Sequence, residues 1–366
     1  MTKRVPDWGE PAPWFKVRAD CAREFHFHTV AGRYVVLCFL ESAALADSRA
    51  VLDALLARAA TFNGEHAALL FVTTDPRDEA LAELTVRAPG IRLFFDFERE
   101  VSRLYGVAGE GADAYERTTF LLDTRLRVLT RVPFASAPEA HVARVLASLA
   151  HVPPTAPLEA HAPVLFVPRL LEPELCLELV RFHALQGGEA SGFMRDVNGR
   201  TELVHDVKHK VRRDASIPEG ELRSSLLRRI RERLVPEIQR AFQFEVTRVE
   251  RHLVGCYDAT TGAHFRRHRD NTTLGTAHRR FAVTVNLNAG EYEGGELRFP
   301  EFGPKTYVPP TGAALVFSCS LLHEVRKVTR GARFAYLPFL YDEAAAALRR
   351  ASDARAATQA GDDESR

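Results

Sequence analysis

Four prolines in the stretch 152–163, Pro153, Pro154, Pro157 and Pro163, limit what this chain can fold into more than any other local feature. Each ring fixes φ and removes a backbone N–H, so the stretch belongs neither inside a helix nor inside a sheet ladder. It reads as an extended, semi-rigid connector. At 366 residues the chain is longer than one ordinary hydrophobic core requires, and two domains follow. The expected division is a first domain over 1–150, the connector over 151–163, a second domain over 164–345 and a frayed, flexible tail over 346–366. No internal repeat is visible.

The first half alternates strand and helix patterns. Residues 34–40 are an unbroken apolar run, and 48–63 carry Val51, Leu52, Leu55 and Leu56 at helical spacing before Gly64. Residues 67–73 form another buried-type strand. A helix over 78–87, a strand over 92–96, a helix over 98–105, a hairpin of 119–123 with 127–132 and a helix over 138–150 complete the series. Such alternation predicts an α/β layer.

Beyond the connector the pattern changes. Pro173 opens a helix over 174–185 that stops at Gly187 and Gly188. The polar, weakly patterned stretch 188–208 is expected to be a loop over a site mouth. A helix over 219–242 carries Leu222, Leu226, Leu227, Ile230 and Leu234 as its apolar stripe, with the arginines of 228–233 on a solvated face. Strands are expected over 250–257, 311–318 and 332–340.

Within this second half stand His268, Asp270, His323 and Arg333: a His-x-Asp pair, a second His 55 positions on, and an Arg ten after that. Two neutral imidazoles and one carboxylate on one face of a metal leave three adjacent positions open, which suits a non-haem Fe(II) holding a cosubstrate together with dioxygen. On an extended backbone the i and i+2 ligands face the same way while Arg269 points away. A guanidinium nearby is what a dicarboxylate cosubstrate needs for its remote charge. Tyr257 adds a hydroxyl for that same carboxylate. Among 14 histidines a lone His-x-Asp arises by chance as a surface hydrogen bond, so it is the conjunction with the distal His and the Arg that points to a metal.

The second half, over about 163–341, resembles the 2-oxoglutarate/Fe(II)-dependent oxygenases of the prolyl 4-hydroxylase type. The matching residues run from Tyr257 to Gly262, through His268-Arg269-Asp270-Asn271, the run 280–288 and Glu293-Gly-Gly-Glu-Leu-Arg-Phe-Pro300, to Gly312, His323, Val328, Gly331 and Arg333. The resemblance implies a double-stranded β-helix (jelly-roll) with supporting helices, His268, Asp270 and His323 as Fe(II) ligands, and Arg333 on 2-oxoglutarate. It further implies hydroxylation of an unactivated C–H bond in a peptidyl or small amino-acid-like substrate, with release of succinate and CO2, and dependence on L-ascorbate. A carboxylate at Asp270 favours hydroxylation over the halogenation carried out by relatives with a small residue there.

The first half resembles the peroxiredoxin (AhpC/TSA) branch of the thioredoxin fold, through 32–37, Leu104-Tyr-Gly-Val107 and 117–123. It departs where that chemistry occurs. The stretch 41–48, which should carry Pro and the peroxidatic Cys, has neither. Arg117 matches the family's helper Arg but has no thiolate to serve, Cys38 lies in an apolar strand, and Cys21 sits in a polar edge segment. Two alternatives therefore stand beside the oxygenase: a thiol-dependent peroxidase, or a non-catalytic module that recruits a protein partner, caps the oxygenase or forms a homodimer.

With 49 basic against 48 acidic residues, net +1, no global field argues for nucleic acid or an anionic membrane. Five cysteines without C-x-x-C spacing, and no secretory or membrane-spanning apolar run, predict a reduced, cytoplasmic protein. Cys256 and Cys319, near the ligands, read as small buried hydrophobes. His264, Arg266, Arg267 and Arg269 around the ligand motif suit either an acidic or carboxylate-bearing substrate or a solvent-facing strand.

Overall fold

The computed structural model describes residues 4–85, 88–109, 114–134, 137–152, 161–197 and 200–364. Most of the proline-rich connector, 153–160, lies outside the described residues. The chain gathers into two compact units, Met1–Ala160 with Pro300–Pro304, and His161–Phe299 with Lys305–Arg366.

The first unit is a thioredoxin-like α/β fold. Its seven-stranded sheet runs in the order Ala22–His26, Lys16–Ala19, Ile91–Phe95, Ala67–Thr73, Tyr34–Glu41, Thr118–Leu122, Val128–Pro133. The strands Tyr34–Glu41, Ala67–Thr73 and Ile91–Phe95 pair in parallel. Covered on both faces, they have no polar side to alternate with, which is why they read as continuous apolar runs. Helices Ala46–Leu56 and Pro138–Ala150 bring Val51, Leu52, Leu55, Val142, Val145 and Leu149 onto one face. Phe15, Phe27, Phe39, Tyr105 and Phe120 pack ring against ring in a second cluster. The helix expected over 78–87 is a 3-10 turn, Pro76–Leu81, running into Ala82–Thr85. The side chain of Asp75 caps it by accepting the Arg77 N–H at 3.0 Å.

The second unit is a jelly-roll. A nine-stranded sheet has as its central run Phe339–Tyr341, Phe281–Asn286, Ala332–Tyr336, Leu253–Asp258 and Arg213–Ser216, with Ala314–Ser318 also on Phe281–Asn286. A five-stranded sheet runs Lys210–Val211, His264–His268, His323–Val325, Leu297–Arg298, Thr306–Tyr307. Period-two alternation sorts the large sheet's side chains. Val254, Val283, Val285, Val316 and Tyr336 pack with Leu175, Leu179, Leu226, Ile230 and Ile238 from the supporting helices. Their alternates Tyr257, Thr284, Phe317 and Arg333 line a cavity.

Five expectations are corrected here. The single helix over 219–242 is three pieces: Glu221–Arg229, a π-helical turn Ile230–Leu234, and Val235–Phe242. Pro236 lacks the N–H that a continuous α-helix needs and crowds the preceding turn. The stretch 188–208 contains a hairpin, Phe193–Val197 with Arg200–Val204, rather than a loop. Pro338 divides the last long strand into Ala332–Tyr336 and Phe339–Tyr341, and Arg251, at φ 67, divides 250–257. The tail expected to fray is a helix, Glu343–Glu364, in keeping with the high helix propensity of its alanines, and its first turn buries Ala345 and Ala346.

Candidate metal centre

The strand His264–His268 pairs antiparallel with His323–Val325, and the register sets His268 directly opposite His323. A register irregularity between Phe265 and His268 places one extra residue on the first strand just before this ligand pair. The Asp270 N–H donates to the Cys319 carbonyl at 2.9 Å, tying the first ligand loop to the turn before His323. The result brings together three residues spread over 55 positions: one ligand atom from each of His268, Asp270 and His323 lies within 4.8 Å of the others.

Hydrogen bonding selects the ring nitrogens. His268 Nδ1 donates to the Arg266 carbonyl at 2.7 Å, and His323 Nδ1 to the Leu321 carbonyl at 3.0 Å. Each donation fixes the tautomer and leaves the Nε2 lone pair free. Those two Nε2 atoms lie 3.6 and 3.4 Å from the two oxygens of Asp270. With metal–donor bonds of about 2.1 Å, donors on adjacent corners stand roughly 3 Å apart, so a small contraction closes the set on one ion. Phe265 stacks on the His268 ring at 3.4 Å between centroids, and Phe317 lies edge-on to His323 at 4.7 Å. Burial first, then the neighbouring His323, pushes the His268 pKa well below the ordinary histidine value, so the ring stays neutral and able to ligate.

Arg333 and Tyr257 stand opposite each other across neighbouring strands. Arg333 is 3% exposed, its Nη2 donates to Thr284 Oγ1 at 3.0 Å, and its Nη1 is buried without a hydrogen-bond partner. A buried guanidinium nitrogen left unpaired is costly, and a carboxylate in the same cavity is the natural partner. The residues present therefore fit both groups that the ligand motif implies. The cavity holds about 480 Å³ of empty space, the open solvent at its mouth included, and is lined by His268, Asp270, His323, Tyr257, Thr284 and Arg333 among others.

Two further cavity-lining arginines, Arg212 and Arg251, escaped the sequence reading. Arg212 grips Asp214 through Nε at 2.5 Å and Nη2 at 2.6 Å, and its Nη1 donates to the Tyr257 hydroxyl at 3.3 Å. The available signal was the Arg-x-Asp spacing at 212–214, which puts both side chains on one face of an extended segment. The three arginines noted around the ligand motif do not line the cavity: Arg266 is exposed, Arg267 pairs with Glu324 at 3.4 Å, and Arg269 donates to the Ser320 carbonyl. Cys256 and Cys319 are buried free thiols, as expected.

In the first unit, Ser48 occupies the opening turns of the helix after the first long strand. Its hydroxyl donates to the Leu40 carbonyl at 2.7 Å, and Arg117 Nη1 lies 3.5 Å from it. The helper arginine thus faces a serine. Cys38 is wholly buried, its pKa pushed up by burial to about 12, so it remains a thiol at neutral pH.

Comparison with known proteins gives two family matches in tandem. Residues 252–341 match the 2OG-Fe(II) oxygenase superfamily, and residues 8–130 match the AhpC/TSA family. Two PKHD-type hydroxylases, from Synechococcus sp. strains JA-2-3B'a(2-13) and JA-3-3Ab, are each 30% identical over 135 residues, 34% of this chain and 58% of theirs. The chain thus spans somewhat over half the length of these curated relatives. Among solved structures, a Pseudomonas putida prolyl-4-hydroxylase aligns at 19% identity with a TM-score of 0.39, over 54% of this chain and 97% of that one. The peroxidoxin BcpB of Mycobacterium tuberculosis aligns at 23% with a TM-score of 0.36, over 40% of this chain and 99% of that one. No helix among the described residues is long and apolar enough to cross a membrane.

Proposed function

We propose that the second unit is an Fe(II)- and 2-oxoglutarate-dependent hydroxylase, with His268, Asp270 and His323 holding the iron and Arg333 holding the remote carboxylate of 2-oxoglutarate. The observation that carries this reading is the pairing, in one cavity, of a His-Asp-His cluster with the unpartnered Nη1 of Arg333. The match of residues 252–341 to the oxygenase superfamily, and the hydroxylase relatives, point the same way.

Bound there, iron and 2-oxoglutarate supply the activation of dioxygen, 2-oxoglutarate leaving as succinate and CO2 while a substrate C–H becomes C–OH. The chain's own residues position and tune. Asp270 offers the one carboxylate of the ligand set, and the carbonyls of Arg266 and Leu321 keep both imidazoles oriented through Nδ1. Arg333, steadied by Thr284, fixes the cosubstrate's far end, and Tyr257 extends its hydroxyl into the same cavity. Phe265, Phe317, Leu297 and Val325 exclude water from the metal side.

The substrate class we infer is peptidyl or amino-acid-like, with ascorbate sustaining the ferrous state. The first unit, with serine where peroxidase chemistry needs a thiolate, serves as a docking or dimerising module. The five free cysteines suit a reducing cytoplasm.

Mixing protein, Fe(II) and 2-oxoglutarate without oxygen should produce a weak visible charge-transfer band. His268→Ala should abolish it, and a wild-type protein without the band would sink the assignment.

A further inference from the structure

The cavity carries more positive charge than the proposed reaction uses. Arg212, Arg251 and Arg333 line it, and the carboxylates set against them are Asp270 and Asp214. A ferrous ion and the 2-oxoglutarate dianion cancel one another, so loading the site leaves three guanidinium charges facing two carboxylates. Arg279 does not alter the balance, because Glu250 holds it at 2.6 Å. Glu250 also takes His278 and the partly exposed Arg349, each at 2.8 Å. Lys210 does not add to the excess, since burial brings its pKa down to about 5.

The surplus falls on Arg251. Asp214 is already committed to Arg212 by two short bonds and accepts the Ser191 hydroxyl at 2.5 Å. It stands 3.6 Å from Arg251 Nη2, beyond a hydrogen bond. The Arg251 guanidinium also lies 5.2 Å from the ring of Phe339, which carries Arg279 at 4.1 Å as well. Arg251 keeps 26% of its side-chain surface accessible, so a ligand can still reach it. Its backbone is left-handed, at φ 67, a conformation that non-glycine residues rarely adopt and that tends to persist where the site depends on it. Burial and the neighbouring Arg212 lower its pKa to about 10, which leaves it cationic at neutral pH.

Resting on the oxygenase reading, we propose that the primary substrate is an amino-acid-sized molecule with one free carboxylate, which is received by Arg251, a second cavity-lining guanidinium besides Arg333. A planar guanidinium without a carboxylate of its own matches a carboxylate through two parallel N–H donors. The capped backbone of an internal peptide residue offers no such group.

The test uses wild-type protein loaded with Fe(II) and 2-oxoglutarate. It compares the free L-amino acids with their N-acetyl amides, in which the α-carboxylate is lost and acidic side chains remain. Succinate release is followed in air, and binding is followed by calorimetry under nitrogen. At least one free acid should bind and raise succinate release while its capped amide does neither. Arg251→Met should weaken that binding about 10- to 100-fold, the usual cost of a lost charge-assisted hydrogen bond, and Arg251→Lys should recover part of it. Circular dichroism confirms that both variants are folded, and if the Met variant is not, the Lys variant carries the comparison. Stimulation by capped amides equal to that by acids, side-chain carboxylates included, overturns the inference. So does silence from both sets, or unchanged binding by the folded variants. Failure of the oxygenase reading shows itself separately, as absence of the charge-transfer band from wild type.

Discussion

His268 and His323 face each other across one antiparallel pair with their ring centroids 4.1 Å apart, and each is held by a backbone carbonyl two residues earlier in the chain. Their geometry is therefore set by main chain as much as by side-chain packing. Asp270 has no such redundancy, being the single carboxylate in the set.

Asp270→Ala should lower Fe(II) affinity by more than about 100-fold, beyond what loss of a supporting partner costs a metal site. Competition against a chromogenic chelator measures this, and Asp270→Ala protein that kept wild-type affinity and succinate output would contradict the ligand assignment. A chelator such as EDTA should likewise abolish turnover in wild type, and Fe(II) should restore it.

Arg333→Ala should raise the KM for 2-oxoglutarate about 10- to 100-fold, since one charge-assisted contact is lost and Thr284 cannot replace it. Arg333→Lys should recover only part, because an ammonium lacks the planar fork. Steady-state succinate release across a range of 2-oxoglutarate concentrations separates this from a fall in kcat.

Acid should begin to destabilise the fold above the ordinary carboxylate range. Burial depresses the pKa values of His209 and His252 to about 4, so the folded chain binds their protons only near pH 4 while the unfolded chain binds them near 6.5. Unfolding then takes up protons between those limits, and stability falls with falling pH by up to about 1.4 kcal/mol per unit for each histidine. Glu250, held near 2 despite its burial by His278 and Arg279, adds a second loss below its ordinary value of 4.5. Urea midpoints measured from pH 7.5 to 4 in the metal-free protein should show the first decline, and His252→Gln should flatten it.

Wild-type protein should consume no hydrogen peroxide with a thiol reductant at a rate above the buffer. The Arg117 guanidinium, 3.5 Å from the Ser48 hydroxyl, is placed to lower the pKa of a thiol at that position. Ser48→Cys should therefore react with a thiolate-selective alkylating agent faster than Cys21 does. Rapid peroxide turnover by the unmodified chain would contradict a non-peroxidatic first unit.

Gly312 has φ 77, and a Cβ there would stand 2.2 Å from the Leu171 carbonyl oxygen. Gly312→Ala should cost about 1–3 kcal/mol through strain and forced displacement, visible as a lowered thermal midpoint.

Much of this was legible in the residues because the signals were periodic or chemically rare. The strand over 67–73 and the helix over 138–150 appear at those bounds, since apolar patterning alone decides them. His268, Asp270, His323, Tyr257 and Arg333 converge as their types and spacing suggested. What sequence could not show depends on partners distant in the chain. Arg251 stands in a polar stretch like many surface arginines, Arg212 offered only its spacing to Asp214, and the pairing of Leu253–Asp258 with Arg213–Ser216 is what sets their segments side by side. Arg269, beside the ligands but past the end of their strand, is buried against the Ser320 carbonyl and does not line the cavity.

The strand pairing that assembles the three ligands also sets a timetable. His268 and Asp270 leave the ribosome before His323 does, so the nascent chain offers iron two donors and no complete set until His323 has emerged. By then the whole first unit except Pro300–Pro304 has long been exposed, free to fold without metal. Iron supply during expression should accordingly govern how much of the product is loaded rather than how much of the first unit folds.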